Sequence, residues 1–141
     1  MAAGLSAGGL VRAWAAALVG SVVVNELLRH ALVGLLAVPA TFAPFTRPAV
    51  LFWTTVGVTG AAGAFALVAR WAADPARAYR RLAAVVLVLS WVPDLLLPGS
   101  PRFPEATWPL AAGLALLHVP PALLCVWLLP RWGLRSHSAA W

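Results

Sequence analysis

The sequence predicts an all-α integral membrane protein, a four-helix bundle with up-down-up-down topology. Hydrophobic residues make up 62% of the 141 residues and charged residues 10%, against roughly 45–50% and about 25% in soluble domains. The apolar residues fall in four long stretches, and arginines border alternate connections between them. A soluble fold of this length cannot bury so much apolar surface, so we expect a single domain surrounded by lipid.

The four predicted spans cover residues 11–38, 49–69, 80–97 and 107–129. About 20 residues at 1.5 Å each cross the hydrocarbon core, so the first span is long and is expected to tilt. Proline-rich turns follow the first and third spans, and Pro130 closes the fourth. Residues 132–141 are predicted to form a short cytoplasmic tail.

The basic residues predict the orientation of these spans. All ten are arginines, and each odd-numbered connection carries one of them, Arg47 or Arg102. The second connection and the two chain ends are richer in arginine. Because cytoplasmic segments are enriched in Lys and Arg, we expect a multi-pass protein of the plasma membrane with both termini in the cytoplasm. The arginines on the cytoplasmic side are then Arg12, Arg70, Arg77, Arg80, Arg81, Arg131 and Arg135.

Polar residues from all four spans are predicted to lie in the extracytoplasmic half of the bilayer. Ionisable groups in a membrane usually face the bundle interior and pair, and Glu26 and Arg29 are spaced to pair on one helix face. Asp94 has no cation on its own helix, so we expect a partner such as His118 or Arg29. Counting 1.5 Å per residue from the span ends gives one candidate polar pocket, lined by Asn25, Glu26, Arg29, Thr54, Thr55, Asp94 and His118.

Two interpretations of this polar layer stay open at the level of sequence. In the first, the side chains only form hydrogen bonds between helices or neutralise one another. In the second, they bind a ligand or an ion. The prolines Pro93, Pro120 and Pro121 free backbone carbonyls beside Asp94 and His118, and carbonyls at membrane depth need a partner.

Small residues on the second span predict close helix packing. Thr59 and Gly63, like Gly60 and Ala64, have the four-residue spacing that lets two helices approach in a membrane, and Gly57 extends the same surface. The pattern does not distinguish packing inside the bundle from dimerisation.

Several classes of function are disfavoured. Cys125 is the single cysteine, so an internal disulfide and a CxxC redox pair are excluded. We expect no metal site and no cofactor, because the spans lack a cluster of His and Cys ligands. The arginines are not interleaved with aromatic residues on a soluble face, so nucleic acid is not an expected partner. No phosphatase, intramembrane Ser/His protease or zinc-protease signature is present, so an enzyme is not expected.

Three short motifs carry a family resemblance. The second span contains the run Phe52-Trp53-Thr54-Thr55-Val56-Gly57-Val58-Thr59-Gly60. The third contains Ser90-Trp91-Val92-Pro93-Asp94-Leu95, and the fourth contains Leu116-Leu117-His118-Val119. From about residue 25 to residue 129 the chain resembles the DUF6069 family of small actinobacterial four-span membrane proteins of unknown function. The resemblance implies a four-helix membrane protein and places Asn25, Asp94 and His118 on the family pattern, but it supplies no activity.

Two functional hypotheses follow. The leading one is a non-enzymatic membrane interaction or accessory module, in contact with the lipid bilayer and packed against a second copy or another membrane protein. The alternative is a protein that binds or transports a small molecule or ion through an outward-half polar pocket around Asp94 and His118.

Overall fold

The protein is all-α. A computed structural model describes residues 4–135, and within that range it contains five α-helices. They are α1 (Ala7–Leu35), α2 (Arg47–Trp71), α3 (Pro75–Leu95), α4 (Trp108–Leu117) and α5 (Val119–Gly133), with a short 3-10 helix at Ala43–Phe45 before α2. Most of the predicted cytoplasmic tail, residues 136–141, lies outside the described residues.

Local sequence signals define the helix starts. The Ser6 hydroxyl accepts a hydrogen bond from the Gly9 amide at 3.2 Å and caps α1. The Asp74 carboxylate accepts one from the Arg77 amide at 3.0 Å and caps α3, whose first residue is Pro75. Proline also occupies the first turn of α2, α4 and α5, where the missing amide hydrogen is not needed.

The fourth apolar stretch is a broken helix. Helices α4 and α5 follow one another with only His118 between them. Pro120 and Pro121 cannot donate hydrogen bonds to the last carbonyls of α4, so the continuous ladder is interrupted at this point. Helix α5 then continues through Pro130 to Gly133, further along the chain than the predicted end of the span.

Two clusters of buried apolar residues hold the helices together. The first surrounds Phe65, Tyr79 and Leu129, and Phe65 and Tyr79 meet edge to face with ring centroids 5.1 Å apart. The second surrounds Phe42, Phe45 and Leu110. Helix α1 packs most extensively on α5 and α2, whereas α3 buries only Pro75 and Tyr79.

The two ends of the described chain lie side by side. The Ser6 amide donates to the Gly133 carbonyl, and the Arg135 amide donates to the Gly4 carbonyl, both at 2.8 Å. Helix α1 therefore starts at the end of the molecule where α5 stops. The approach is close at Gly9, because a β-carbon at this position would overlap the carbonyl of Trp132.

Three helical segments in the described residues are long and apolar enough to cross a membrane. They are Ala7–Leu35, Arg47–Trp71 and the combined α4–α5 segment Trp108–Gly133. Large apolar side chains on their outer surfaces are exposed, as at Leu27, Trp53 and Leu123, which indicates a membrane protein. Helix α3 does not reach the same apolarity, because its 21 residues include four charged side chains: Arg77, Arg80, Arg81 and Asp94.

Candidate functional site

Asn25 and Thr54 join α1 to α2 in the interior of the protein. The Asn25 side-chain amide donates a hydrogen bond to the Thr54 hydroxyl at 2.9 Å, and both side chains are buried. Such a bond between membrane helices is worth about 0.6–2 kcal/mol. Within residues 4–135 the Asn25 amide oxygen has no hydrogen-bond partner, and neither has the hydroxyl of Ser21, which is buried one turn earlier on the same helix.

Glu26 lies between two arginines. Its carboxylate contacts Arg29 on the same helix through both oxygens, at 3.3 and 3.4 Å. It also contacts Arg47, the first residue of α2, at 3.3 Å. Arg29 is mostly buried whereas Arg47 is 70% exposed, so the pair with Arg29 is the better shielded of the two.

Glu26 and Arg47 border an open groove of about 620 Å³. Its lining residues are Val22, Val23, Glu26, Leu27, His30, Ala31 and Arg47. Glu26 is the one member of the predicted polar pocket among them, so this groove reaches neither Asp94 nor His118.

Asp94 and His118 meet where α3 passes the break between α4 and α5. The His118 Nδ1 atom lies 3.4 Å from one carboxylate oxygen of Asp94 and 3.1 Å from the Leu114 carbonyl. A carbonyl oxygen only accepts, so Nδ1 carries the hydrogen and donates it to Leu114. The same Asp94 oxygen is buried, and among the described residues it has no hydrogen-bond partner. The indole nitrogen of Trp91, one turn earlier, is also buried and also lacks a partner among these residues.

The residues predicted to line one pocket thus form three separate groups. Asn25 is bonded to Thr54, Glu26 to Arg29 and Arg47, and Asp94 contacts His118. Thr55 joins none of them, because it is exposed and its hydroxyl donates to the Leu51 carbonyl of its own helix at 2.8 Å.

The small-residue surface of α2 points away from the other helices. Gly57, Gly60 and Gly63 are exposed, and a β-carbon added to any of them would meet no atom within 4 Å beyond the local helix backbone. Ala64 is partly buried. Thr59 is exposed, and its hydroxyl accepts a hydrogen bond from the Trp14 indole of α1 at 3.2 Å.

Comparison with known proteins assigns the chain to a family. The sequence profile of DUF6069, a family of unknown function, matches residues 5–135. The chain belongs to the DUF6069 family. The match confirms the family resemblance seen in the sequence motifs and identifies no activity. No match is found among curated proteins or among solved structures.

Two polar residues in this DUF6069 protein were missed by sequence reasoning. Ser21 is one turn before Asn25 and on the same helix face, so its spacing was the available signal. Arg47 was interpreted only as a loop residue, although a cation at the start of the second helix is close in depth to Glu26 near the end of the first. Neither Ser21 nor Arg47 is of a residue type that is unusual at its place in the sequence.

The polar residues described above offer charge pairing and hydrogen bonding. Within residues 4–135 no three His, Cys, Asp or Glu side chains are grouped so that they could hold a metal ion. Cys125 is buried in the first apolar cluster beside Leu128 and Leu129. Among the described residues, Asp94 is one of four with a buried polar side-chain atom that has no hydrogen-bond partner, and the space around the α2 glycines is open.

Proposed function

We propose that this DUF6069 protein is a four-span membrane protein with both ends in the cytoplasm and that it acts by helix association in the bilayer. The proposed contact is between the α2 face of one copy and the α2 face of a second copy. The observation that carries the proposal is the open space around Gly57, Gly60 and Gly63. Within residues 4–135, no other helix fills the space around these three glycines.

The pairing of the chain ends supports four spans. Three crossings would put the ends on opposite sides of the membrane, whereas Ser6 is hydrogen-bonded to Gly133 and Gly4 to Arg135. If all three apolar segments cross the membrane, an even number of crossings makes α3 the remaining span. Its 21 residues give about 31 Å of helix, close to the thickness of the hydrocarbon core. Arg77, Arg80 and Arg81 near its start can extend to the headgroup region.

The shape of the α2 face supports self-association. Gly57, Gly60 and Ala64 follow one another at three- and four-residue steps and therefore share one side of the helix. Without side chains in the way, two such faces can approach closely, and the gain comes from van der Waals packing between backbones. The same surface on each partner gives a two-fold symmetric contact.

The experiment is a fluorescence energy-transfer measurement of association in liposomes at a series of protein-to-lipid ratios. We expect Gly60→Leu to place a bulky side chain on the α2 face and to weaken association at least tenfold. Gly34→Leu is the matched control, because Gly34 on α1 is also exposed and open to the same substitution. Equal association of both variants and the unmodified chain, or no association of the unmodified chain at any ratio, would contradict the proposal.

A second candidate function is favoured by one observation, the buried Asp94 oxygen that has no hydrogen-bond partner among the described residues. A carboxylate in that position can accept a proton or a small cation, with the His118 imidazole as its neighbour at 3.4 Å. In this interpretation, binding of the proton or cation at the Asp94–His118 pair changes the contact between α3 and α4.

A further inference from the structure

A second pocket lies at the end of the molecule where the two chain ends meet. It has a volume of about 620 Å³ and is separate from the groove beside Glu26. Its lining comprises Ser6, Arg12, Arg131, Trp132, Leu134 and Arg135. The first turns of α1 and the last turn of α5 supply its walls.

Backbone contacts fix the relative position of these walls. The Ser6 amide is bonded to the Gly133 carbonyl and the Arg135 amide to the Gly4 carbonyl. Leu5 and Leu134 form an antiparallel bridge between the same two segments. The Arg131 guanidinium is held over the Trp127 ring, 5.6 Å from its centroid. The pocket is therefore formed by the fold itself.

The charge of the pocket is strongly positive. Of the six described residues that line it, three are arginines and none is acidic. In the described part of the chain, the recorded ion pairs of Glu26 and Asp94 involve Arg29, Arg47 and His118, which lie elsewhere. Three guanidinium groups around one cavity repel one another unless an anion lies between them, and guanidinium geometry suits a phosphate.

The surroundings indicate an amphiphilic anion. Helices α1 and α5 belong to segments that are apolar enough to cross a membrane, so their shared end is at headgroup depth in the proposed topology. Exposed apolar side chains, Val11 on α1 and Trp127 on α5, lie within about one turn of the pocket arginines. They offer acyl chains an apolar surface next to the charged cavity.

We propose that this pocket binds the phosphate-bearing headgroup of an anionic phospholipid of the cytoplasmic leaflet. The arginines contact the headgroup, and the acyl chains lie along the adjoining apolar faces of α1 and α5. The proposal rests on the membrane placement proposed above and is independent of association through α2. A basic side chain near an anionic lipid surface strengthens binding roughly fivefold, so three of them give a factor on the order of 100.

The test is native mass spectrometry of the full chain in mild detergent, titrated with phosphatidylglycerol or phosphatidylcholine. We expect tight binding of phosphatidylglycerol alone, weakened on the order of 100-fold in the triple variant Arg12→Gln, Arg131→Gln, Arg135→Gln. The control triple variant Arg70→Gln, Arg77→Gln, Arg81→Gln removes the same charge elsewhere and should retain binding. Replacing the pocket arginines by Lys should also retain most of it, and circular dichroism checks that each variant is folded.

Three results would overturn the proposal. Equal weakening by both glutamine triples would assign the effect to net charge, and equal binding of the two lipids would exclude recognition of the anionic headgroup. Displacement of phosphatidylglycerol by inorganic phosphate at matched concentration would identify free phosphate as the ligand. Because binding is measured in micelles, failure here is distinct from failure of α2 association in liposomes.

Discussion

Single residues decide how closely α1 and α5 approach. Gly9 is buried against the Trp132 backbone, whereas Gly8 is exposed and open. A methyl group at position 9 meets a carbonyl that belongs to the end of α5 and cannot rotate away. The contact between α1 and α5 therefore requires a residue without a side chain at position 9. The backbone of α1 is regular helix there, so the conformational freedom of glycine is not the reason.

Gly9→Ala should destabilise the protein by about 1–3 kcal/mol through overpacking against a backbone atom. Gly8→Ala, one residue earlier, should cause no loss, because alanine has the higher helix propensity and meets no neighbour. Denaturant titration in mild detergent measures the free energy of unfolding of both. Equal stability of the two variants would contradict the close approach of α1 to α5.

At the scale of elements, counting residues along the helices groups polar side chains by height but does not show which of them meet. Counting residues along the helices puts Asn25 and Thr54 in overlapping layers, and the structure brings them to 2.9 Å. The same counting groups Glu26 with Asp94, yet Glu26 contacts Arg29 and Arg47 whereas Asp94 contacts His118. Depth follows from 1.5 Å per residue, whereas the face that each helix turns to its neighbour depends on packing of the whole bundle.

The break at His118 shows a second limit of sequence reasoning. Pro120 and Pro121 predict freed carbonyls, and the interruption between α4 and α5 agrees with that reasoning. What the prolines do not reveal is that His118 occupies the break itself and bonds back to Leu114. That arrangement places the imidazole against α3, where it contacts Asp94.

The contact between α3 and the α4–α5 break should contribute to stability. Asp94→Ala and His118→Ala should each lower the free energy of unfolding, because each removes one partner of the 3.4 Å contact between the carboxylate and the imidazole. The double variant should lose less than the sum of the two single losses, with a coupling of about 0.5–3 kcal/mol. His30→Ala, a residue of the Glu26 groove, is the control and should show no coupling to Asp94→Ala. Denaturant titration in detergent measures the losses; strictly additive losses of Asp94→Ala and His118→Ala would exclude the coupling.

At the scale of the whole molecule, the apolar stretches and the all-α class were predictable from sequence, because hydrophobic run length determines helices of this kind. The family was predictable from the short motifs of the second, third and fourth spans. Which surfaces remain unfilled was not predictable. The glycines of α2 fit internal packing and dimerisation equally well as a pattern, and only the positions of the other helices show that they face outward. The arginine pocket was likewise not predictable, because its lining residues come from both ends of the described chain.

The membrane topology depends on α3, the least buried and most charged helix of the described chain. If α3 crosses the bilayer, the connection before it and the connection after it lie on opposite sides. If α3 lies on the surface, both connections share one side and the pairing of the chain ends loses its explanation. The side on which each connection lies therefore decides the span count.

Labelling of single cysteines in intact cells with a membrane-impermeant maleimide directly measures the side of the membrane on which each connection lies. In a Cys125→Ala background, Pro101→Cys reports on the connection after α3 and Ala73→Cys on the connection before it. We predict that Pro101→Cys is labelled from outside and that Ala73→Cys is labelled only after permeabilisation. Labelling of both positions from the same side would contradict the four-span account.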